Sequence, residues 1–269
     1  MMLFLASLRN QTDMTIAVRI NDQSYQERSL QLAQDLTLPI LGDDADAKKF
    51  DYALEYVDDV LQLVSTHKKH GPVFCDFTSG AFLHRLKYGG KLSQPLAKAV
   101  GLKKLKSNQS LSVLDTTAGL GTDAMLLAAW GCEVTLLERD KVVASLLADG
   151  LSRAKNKLND EFDFSKIHFE QIDALDYLKC STKQFDVVYL DPMFKLEKQK
   201  AKPNKNMQVL QDILPQENDA EDALLVLAKS HAKNRVVVKR SSMSKTINSL
   251  NLSFSIDGQA NRFDVYLSE

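Results

Sequence analysis

From Leu111 almost to its end the chain alternates between two hydrophobic periods, and this alternation constrains the fold more than any other feature. Short apolar runs suited to buried strands lie at 111–114, 133–137, 167–172, 185–190 and 235–239. Helical spacing fills the gaps: 123–130, a helix from Asp140 with Val142, Val143, Leu146, Leu147 and Leu151 on one face, a short helix from near Asp173, and 219–233. Strands joined through helices pair in parallel and are covered on both faces. The ending breaks the rule. Segments 252–256 and 262–267 flank Asp257-Gly258 with no helix between them, which predicts an antiparallel pair. The expectation is an α/β chain built on a seven-stranded, mostly parallel sheet with an antiparallel C-terminal strand.

The first of these strands feeds a turn. L-S-V-L-D-T-T-A-G-L-G-T-D, residues 111–123, reads as strand, glycine turn and helix start, and Gly131 offers the helix a C-terminal cap. Gly119 and Gly121 let backbone N–H groups and a helix N-terminus approach a ligand closely. Which ligand is open at this point. Gly119, Gly121 and Ala124 also satisfy G-x-G-x-x-A, and Glu138 stands about 20 residues on, where a dinucleotide fingerprint has its ribose-binding acid. Ligands of open α/β sheets sit beyond the carboxyl ends of the strands, near the point where strand order reverses. Acidic residues mark such ends: Asp115, Glu138, Asp173 and Asp191. Glu138 suits both ribose hydroxyls of an adenosyl group, and Asp173 with Ala174 suits the adenine amine and ring edge. Glu138 and Asp173 both precede helices, so an N-cap is the competing reading. Arg139 either lies against the adenine or is merely exposed.

Asp191-Pro192-Met193-Phe194, directly after the strand at 185–190, separates the ligands. It resembles the D/N-P-P-Y/F motif of methyltransferases that modify exocyclic amines, with Met193 in place of the usual second proline. An aryl amine delocalises its lone pair into the ring and is a poor nucleophile until acceptors hold its two N–H groups. Asp191 and the Pro192 carbonyl can be those acceptors, while Phe194 stacks on the base. A D-P-x-F turn is common by itself; at the end of the fourth strand of this alternation it is informative. The antiparallel ending agrees, because the class I (Rossmann-like) methyltransferase sheet has one and a dehydrogenase half-domain has no need of it. S-adenosyl-L-methionine then replaces the dinucleotide: Gly119 and Gly121 make room for its amino-acid end, and Asp115 is the candidate partner of its ammonium group. Neither a metal nor a covalent enzyme intermediate is expected, because a sulfonium is already an activated donor.

A-G-L-G-T-D-A at 118–124, L-E-R-D at 137–140, Y-L-D-P-M-F at 189–194, R-V-V-V-K-R at 235–240 and R-F-D-V-Y at 262–266 together resemble the ribosomal RNA small subunit methyltransferase J family, guanine-N2 methyltransferases of 16S rRNA. The likeness extends upstream through D-F-T-S-G-A and H-R-L-K-Y-G-G, so it covers 73–266; the residues before it match only in general layout. The resemblance implies cofactor contacts at Thr122, Asp123, Glu138, Arg139, Asp173, Ala174 and Asp191. Thr122 stands where an arginine is expected, which leaves it a backbone contact. It also implies 16S rRNA as partner, naked or within the 30S subunit. Three rivals share parts of the pattern. A DNA adenine or protein amide methyltransferase shares Asp191 to Phe194, a NAD-dependent oxidoreductase shares the glycine turn and Glu138, and a non-catalytic RNA-binding module needs only the lysines.

A formal net charge of −1 provides no global attraction to nucleic acid, so an RNA partner must be met by local charge. K-L-E-K-Q-K-A-K-P-N-K at 195–205 carries five lysines against one glutamate. Lys195, Lys198, Lys200 and Lys202 are candidates for RNA phosphates, as are Lys239 and Arg240 at the end of the fifth strand and His84, Arg85 and Lys87 in a mixed apolar and basic segment. A solvated surface is the competing reading for each. Residues 1–70 read as a small N-terminal α/β lobe: a strand at 14–20, a helix capped by Ser24 and ending before Pro39, a loop at 42–49, and a hairpin of 50–57 and 60–64 around Asp58-Asp59. Residues 71–110 form a connecting segment bordering the site, with Ser93 capping a helix at 94–100 that Gly101 ends, and 111–269 form the methyltransferase domain. Cys75, Cys132 and Cys180 are odd in number and widely spaced, which argues for a reducing cytoplasm and against a zinc site. Residues 1–8 do not read as a signal peptide, and no window approaches the roughly 18 apolar residues of a membrane span.

Overall fold

The computed structural model of the chain describes residues 14–42, 47, 49–67, 71–88, 93–104, 109–158, 162–192, 209–210, 213–214, 220–242, 244, 250–259 and 261–268. They divide into two compact units. One draws on Met1–Cys75, Lys141–Gly150 and Lys198–Gln216, the other on Asp76–Asp140, Leu151–Glu197 and Glu217–Glu269.

The smaller unit holds a sheet of β1 (Ile16–Val18), β2 (Tyr52–Val57) and β3 (Val60–Ser65), with β1 parallel and β3 antiparallel to the central β2. The hairpin is where the sequence puts it. Asp58 and Asp59 both adopt left-handed backbone, φ 49° and 60°, the pattern of a type I′ turn whose twist matches the strands. Helix α1 (Gln26–Leu36) packs on β1, and Ala17, Leu41, Ala47 and Ala53 form a small core with Phe50 against it. Capping differs from expectation by two residues. Asp22, one turn earlier than α1, accepts the Ser24 N–H at 2.8 Å and its hydroxyl at 2.6 Å, so a 3-10 turn at Gln23–Tyr25 precedes the helix and Ser24 caps nothing.

The larger unit opens with α2 (Gly80–Tyr88) and α3 (Pro95–Val100). Pro95 occupies the first helical position and holds Gln94 in extended backbone, so Gln94 rather than Ser93 is the N-cap. Then the alternation unfolds as predicted: β4 (Ser112–Asp115), α4 (Thr122–Ala129), β5 (Glu133–Leu137), α5 (Lys141–Leu158), β6 (Ile167–Glu170), α6 (Ala174–Cys180), β7 (Phe185–Leu190), α7 (Ala220–His231), β8 (Ala232–Ser241), β9 (Phe254–Asp257) and β10 (Asn261–Leu267). Helix α4 ends in a Schellman motif, with Gly131 (φ 93°) donating to Ala128 O at 2.8 Å and Cys132 to Leu127 O at 3.1 Å.

The strands β4 to β10 form a seven-stranded sheet in the order β6-β5-β4-β7-β8-β10-β9, parallel except for β10, which runs antiparallel to both its neighbours. The central strands are apolar throughout because both faces are covered: Val113, Leu114, Val187, Val188, Val236, Val237 and Val238 are all buried. On one face Leu114, Val188, Val236 and Val238 pack with Leu178 of α6 and Leu224, Leu225 and Ala228 of α7. Strand β8 outruns its predicted limits at both ends, because Ala232 pairs with Phe185 of β7 and β10 pairs along it as far as Ser241, ladders that polar residues at its ends conceal in the sequence. Strand order reverses between β4 and β7, and that is where the strand ends matter.

Among the described residues no helix is long and apolar enough to cross a membrane, and no group of three or more His, Cys, Asp or Glu side chains is placed to hold a metal ion. None of Cys75, Cys132 and Cys180 is in a disulfide.

Candidate active site

The parallel registers bring four acidic strand ends to one edge of the sheet. Asp115 closes β4 opposite Tyr189, and Leu190 pairs with Val238, so Asp191, the first residue past β7, lies beside Lys239 of β8. Thr117 ties the two sides of the switch point together. Its hydroxyl receives the Asp191 N–H at 2.6 Å, and its own N–H donates to Asp115 Oδ1 at 3.1 Å.

Asp115 is 2% exposed, and burial pushes its carboxyl well above the usual range; the Thr117 N–H opposes that shift while Asp123 and Asp191 add to it. Asp123, in the first turn of α4, points back across the sheet end. Its Oδ2 accepts the Tyr189 hydroxyl at 2.8 Å and the Lys239 ammonium at 2.8 Å. Lys239 also reaches Asp191 Oδ2 at 2.7 Å. Burial works against the charge on Asp123, yet Lys239 and Tyr189 outweigh it and hold that carboxyl below its ordinary value. For Asp191 the balance goes the other way: burial raises it, Lys239 pulls it down, and the Asp123 charge raises it further. Lys239 is desolvated too, but the two carboxylates more than compensate and raise its pKa. A lysine continuing the buried run Val236–Val238 therefore keeps its charge by pairing.

The glycine turn is braced by Glu138. Gly119, at φ 55°, donates its N–H to Glu138 Oε2 at 2.9 Å, and the Asp140 N–H holds Oε1 at 2.8 Å. Burial raises the Glu138 carboxyl and these two N–H groups partly offset it. Gly121, at φ 73°, sits at the N-cap of α4. A Cβ added at Gly119 would meet no atom within 4 Å, so the turn faces open space.

A family model described as "Putative SAM-dependent methyltransferase" matches residues 32–268. Ribosomal RNA small subunit methyltransferase J of Coxiella burnetii is 38% identical over 254 residues, covering 94% of this chain and 97% of that one. The chain belongs to the ribosomal RNA small subunit methyltransferase J family. The family member from Tolumonas auensis is 44% identical over 218 residues, 80% of this chain and 86% of its own. A SAM-dependent methyltransferase of Neisseria gonorrhoeae, 29% identical, matches the fold with a TM-score of 0.69 over 94% of this chain and 96% of that one.

Of the candidate cofactor residues, Asp115, Gly119, Gly121, Asp123, Glu138 and Asp191 lie at the carboxyl ends of the strands. Thr122 opens α4 with an exposed side chain. Asp173 is the N-cap of α6, accepting the Leu175 N–H at 2.8 Å, and its other oxygen lies 3.7 Å from Arg139; Ala174 packs into the core beneath. The N-cap reading thus holds for Asp173 and not for Glu138. Pro192 follows Asp191 and is partly buried, whereas Phe194, Lys195, Lys198, Lys200 and Lys202 lie outside the described residues, as does the side chain of Lys87. His84 and Arg85 are exposed on α2. Two RNA candidates need correction: the Lys239 ammonium is committed to two carboxylates, and Arg240, on the opposite face of β8, is buried, so neither presents a cation to phosphate. Sequence reasoning missed Tyr189 and the true partners of Lys239. The signal was there: with period 2, Tyr189 shares a face with Asp191, and a lysine after three valines needs an anion.

Proposed function

We propose that the protein transfers a methyl group from S-adenosylmethionine to the exocyclic N2 of a guanosine in 16S rRNA of the small ribosomal subunit, in the cytoplasm. The site chemistry suits this cofactor. Asp115 is a buried acid whose charge an ammonium would stabilise, the open side of Gly119 leaves room for the amino-acid end, and each oxygen of Glu138 keeps a lone pair for a ribose hydroxyl. It suits a dinucleotide poorly, because the Gly119 N–H is already given to Glu138 and carboxylates crowd the place of a pyrophosphate. When bound, S-adenosylmethionine supplies a methyl group on a cationic sulfur, already activated for transfer.

What remains for the chain is orientation. Asp191 Oδ2 is engaged by Lys239, which leaves Oδ1 as acceptor for one amine N–H, and the Pro192 carbonyl is offered to the other. Holding both N–H groups draws the nitrogen lone pair out of conjugation and aims it at the methyl group. Phe194 is the proposed stacking partner of the unpaired base. The methylated arylammonium is acidic enough to lose its extra proton to water, so no strong base is required. The observation that carries this reading is Asp191 beside Asp115 at the switch point of a chain with rRNA methyltransferase relatives over nearly its whole length. The test is incubation with labelled methyl donor and undermethylated small subunits, 30S particles against naked rRNA, followed by nucleoside analysis. Asp191→Ala should lower kcat by about 10²–10³ while S-adenosylhomocysteine binding falls only a few-fold. Near-normal turnover in that variant overturns the assignment.

A further inference from the structure

We propose that Lys239 is a positioning residue for methyl transfer: its ammonium pins Asp191 Oδ2 to Asp123 Oδ2 and so presents Asp191 Oδ1, ionised, to the target amine. The inference rests on the reading of Asp191 as the acceptor for that amine. Its geometry is a single cation between two elements with different tasks. Asp123 stands in the first turn of α4, directly after the Gly119–Gly121 turn, and Asp191 directly follows β7; Lys239 lies 2.8 Å from the one and 2.7 Å from the other. The Tyr189 hydroxyl, donating to the same Asp123 oxygen at 2.8 Å, fixes the far end of the bridge. Cofactor turn and amine acceptor are thereby held in one register. A carboxylate tied through one oxygen also loses its freedom to rotate, which is what a near-attack arrangement needs.

The second contribution is electrostatic. Among the described residues, the groups facing Asp191 are Asp115 from β4, Asp123 from α4, Tyr189 from its own strand and Lys239 from β8, with Arg85 of α2 acting on Asp123. Burial and the Asp123 charge both favour a protonated Asp191, and Lys239 opposes them. A protonated carboxyl cannot hold an N–H group with the same strength, since the anion is the better acceptor. Without the lysine charge, transfer should therefore require a higher pH.

Lys239→Gln keeps a donor and removes the charge; Lys239→Arg keeps the charge. In the full-length enzyme, kcat measured across about pH 5–9 should show the acid limb of the Gln variant moved up by roughly one unit or more, a loss of about tenfold below the limb that recovers at high pH. The Arg variant should keep the limb in place. A carbon-13 NMR titration of the Asp191 carboxyl, assigned with Asp191→Asn and run without cofactor or RNA, should show the same upward shift in Lys239→Gln. S-adenosylhomocysteine affinity by calorimetry should change by less than about threefold, which separates positioning from loss of cofactor. A Gln variant with wild-type rate profile and wild-type carboxyl titration overturns the proposal, and so does equal loss at every pH in both variants. If Lys239→Gln fails to fold, the Arg variant decides: an unmoved limb supports the role of the charge, a moved one overturns it. Failure of the amine reading looks different, because wild type then yields no methylated guanosine whatever the carboxyl titration shows.

Discussion

Asp115 is buried at the end of β4 with the Thr117 N–H on its carboxylate, and its pKa is raised well above the ordinary value. For an acid with a raised folded pKa the native state binds the proton more tightly. The stability this gives is complete below the unfolded pKa and is lost as pH rises through the folded one. Asparagine at this position removes the titration and keeps an oxygen for the Thr117 N–H. Asp115→Asn should thus raise Tm by about 2–4 °C at pH 8, with the gain shrinking toward acidic pH, while S-adenosylhomocysteine affinity drops roughly tenfold. Scanning calorimetry at several pH values and titration calorimetry read the two effects. A variant that loses stability at pH 8 contradicts the assignment of Asp115 as a strained ligand-binding acid.

At the scale of an element, two left-handed glycines do different jobs. Gly101 caps α3 at φ 90°, and a Cβ there would stand 3.0 Å from the Arg235 guanidinium, which itself donates to Ala99 O at 3.0 Å. Gly119 has similar backbone but open space beside it. Alanine costs roughly 1–2 kcal/mol for left-handed backbone at either position. Gly101→Ala adds crowding to that cost and should lose more stability in a urea titration, with S-adenosylhomocysteine affinity unchanged within about twofold. Gly119→Ala should lose less stability and weaken the same ligand at least about tenfold, since its methyl group enters the space the cofactor needs. Reversed outcomes would mean that the glycine turn is structural and the ligand sits elsewhere.

For the whole molecule, a net charge of −1 leaves RNA affinity to local patches. With Lys239 and Arg240 withdrawn from the surface, the proposed phosphate contacts fall on His84, Arg85 and Lys87 and on the four lysines Lys195, Lys198, Lys200 and Lys202. Each phosphate neutralised contributes roughly 0.7–0.9 to the slope of log K against log salt, so replacing all four with alanine should flatten that slope by about 3. Filter binding of rRNA at a series of salt concentrations measures it. An unchanged slope assigns those lysines to solvent.

The alternation of strand and helix, the glycine turn and the D-P turn were legible because each depends on local chemistry: apolar period, left-handed backbone, a proline that stiffens its neighbour. The same locality explains how the hairpin at Asp58-Asp59 and the closing pair β9–β10 could be read off directly, and why β8 was drawn too short, its outer pairing being non-local. Charge was the point at which local reading failed. A lysine beside an arginine at a strand end is indistinguishable from an RNA contact until the register of β7 on β8 sets Asp191 next to it and the crossover through α4 brings Asp123 from the far side. Sequence by itself determined the strand–helix alternation that builds the sheet and the acids that mark the strand ends. Only the tertiary structure decided that Asp191 shares one cation with Asp123, because ion pairing depends on distance in space, and Asp123 and Lys239 stand more than a hundred positions apart in the chain.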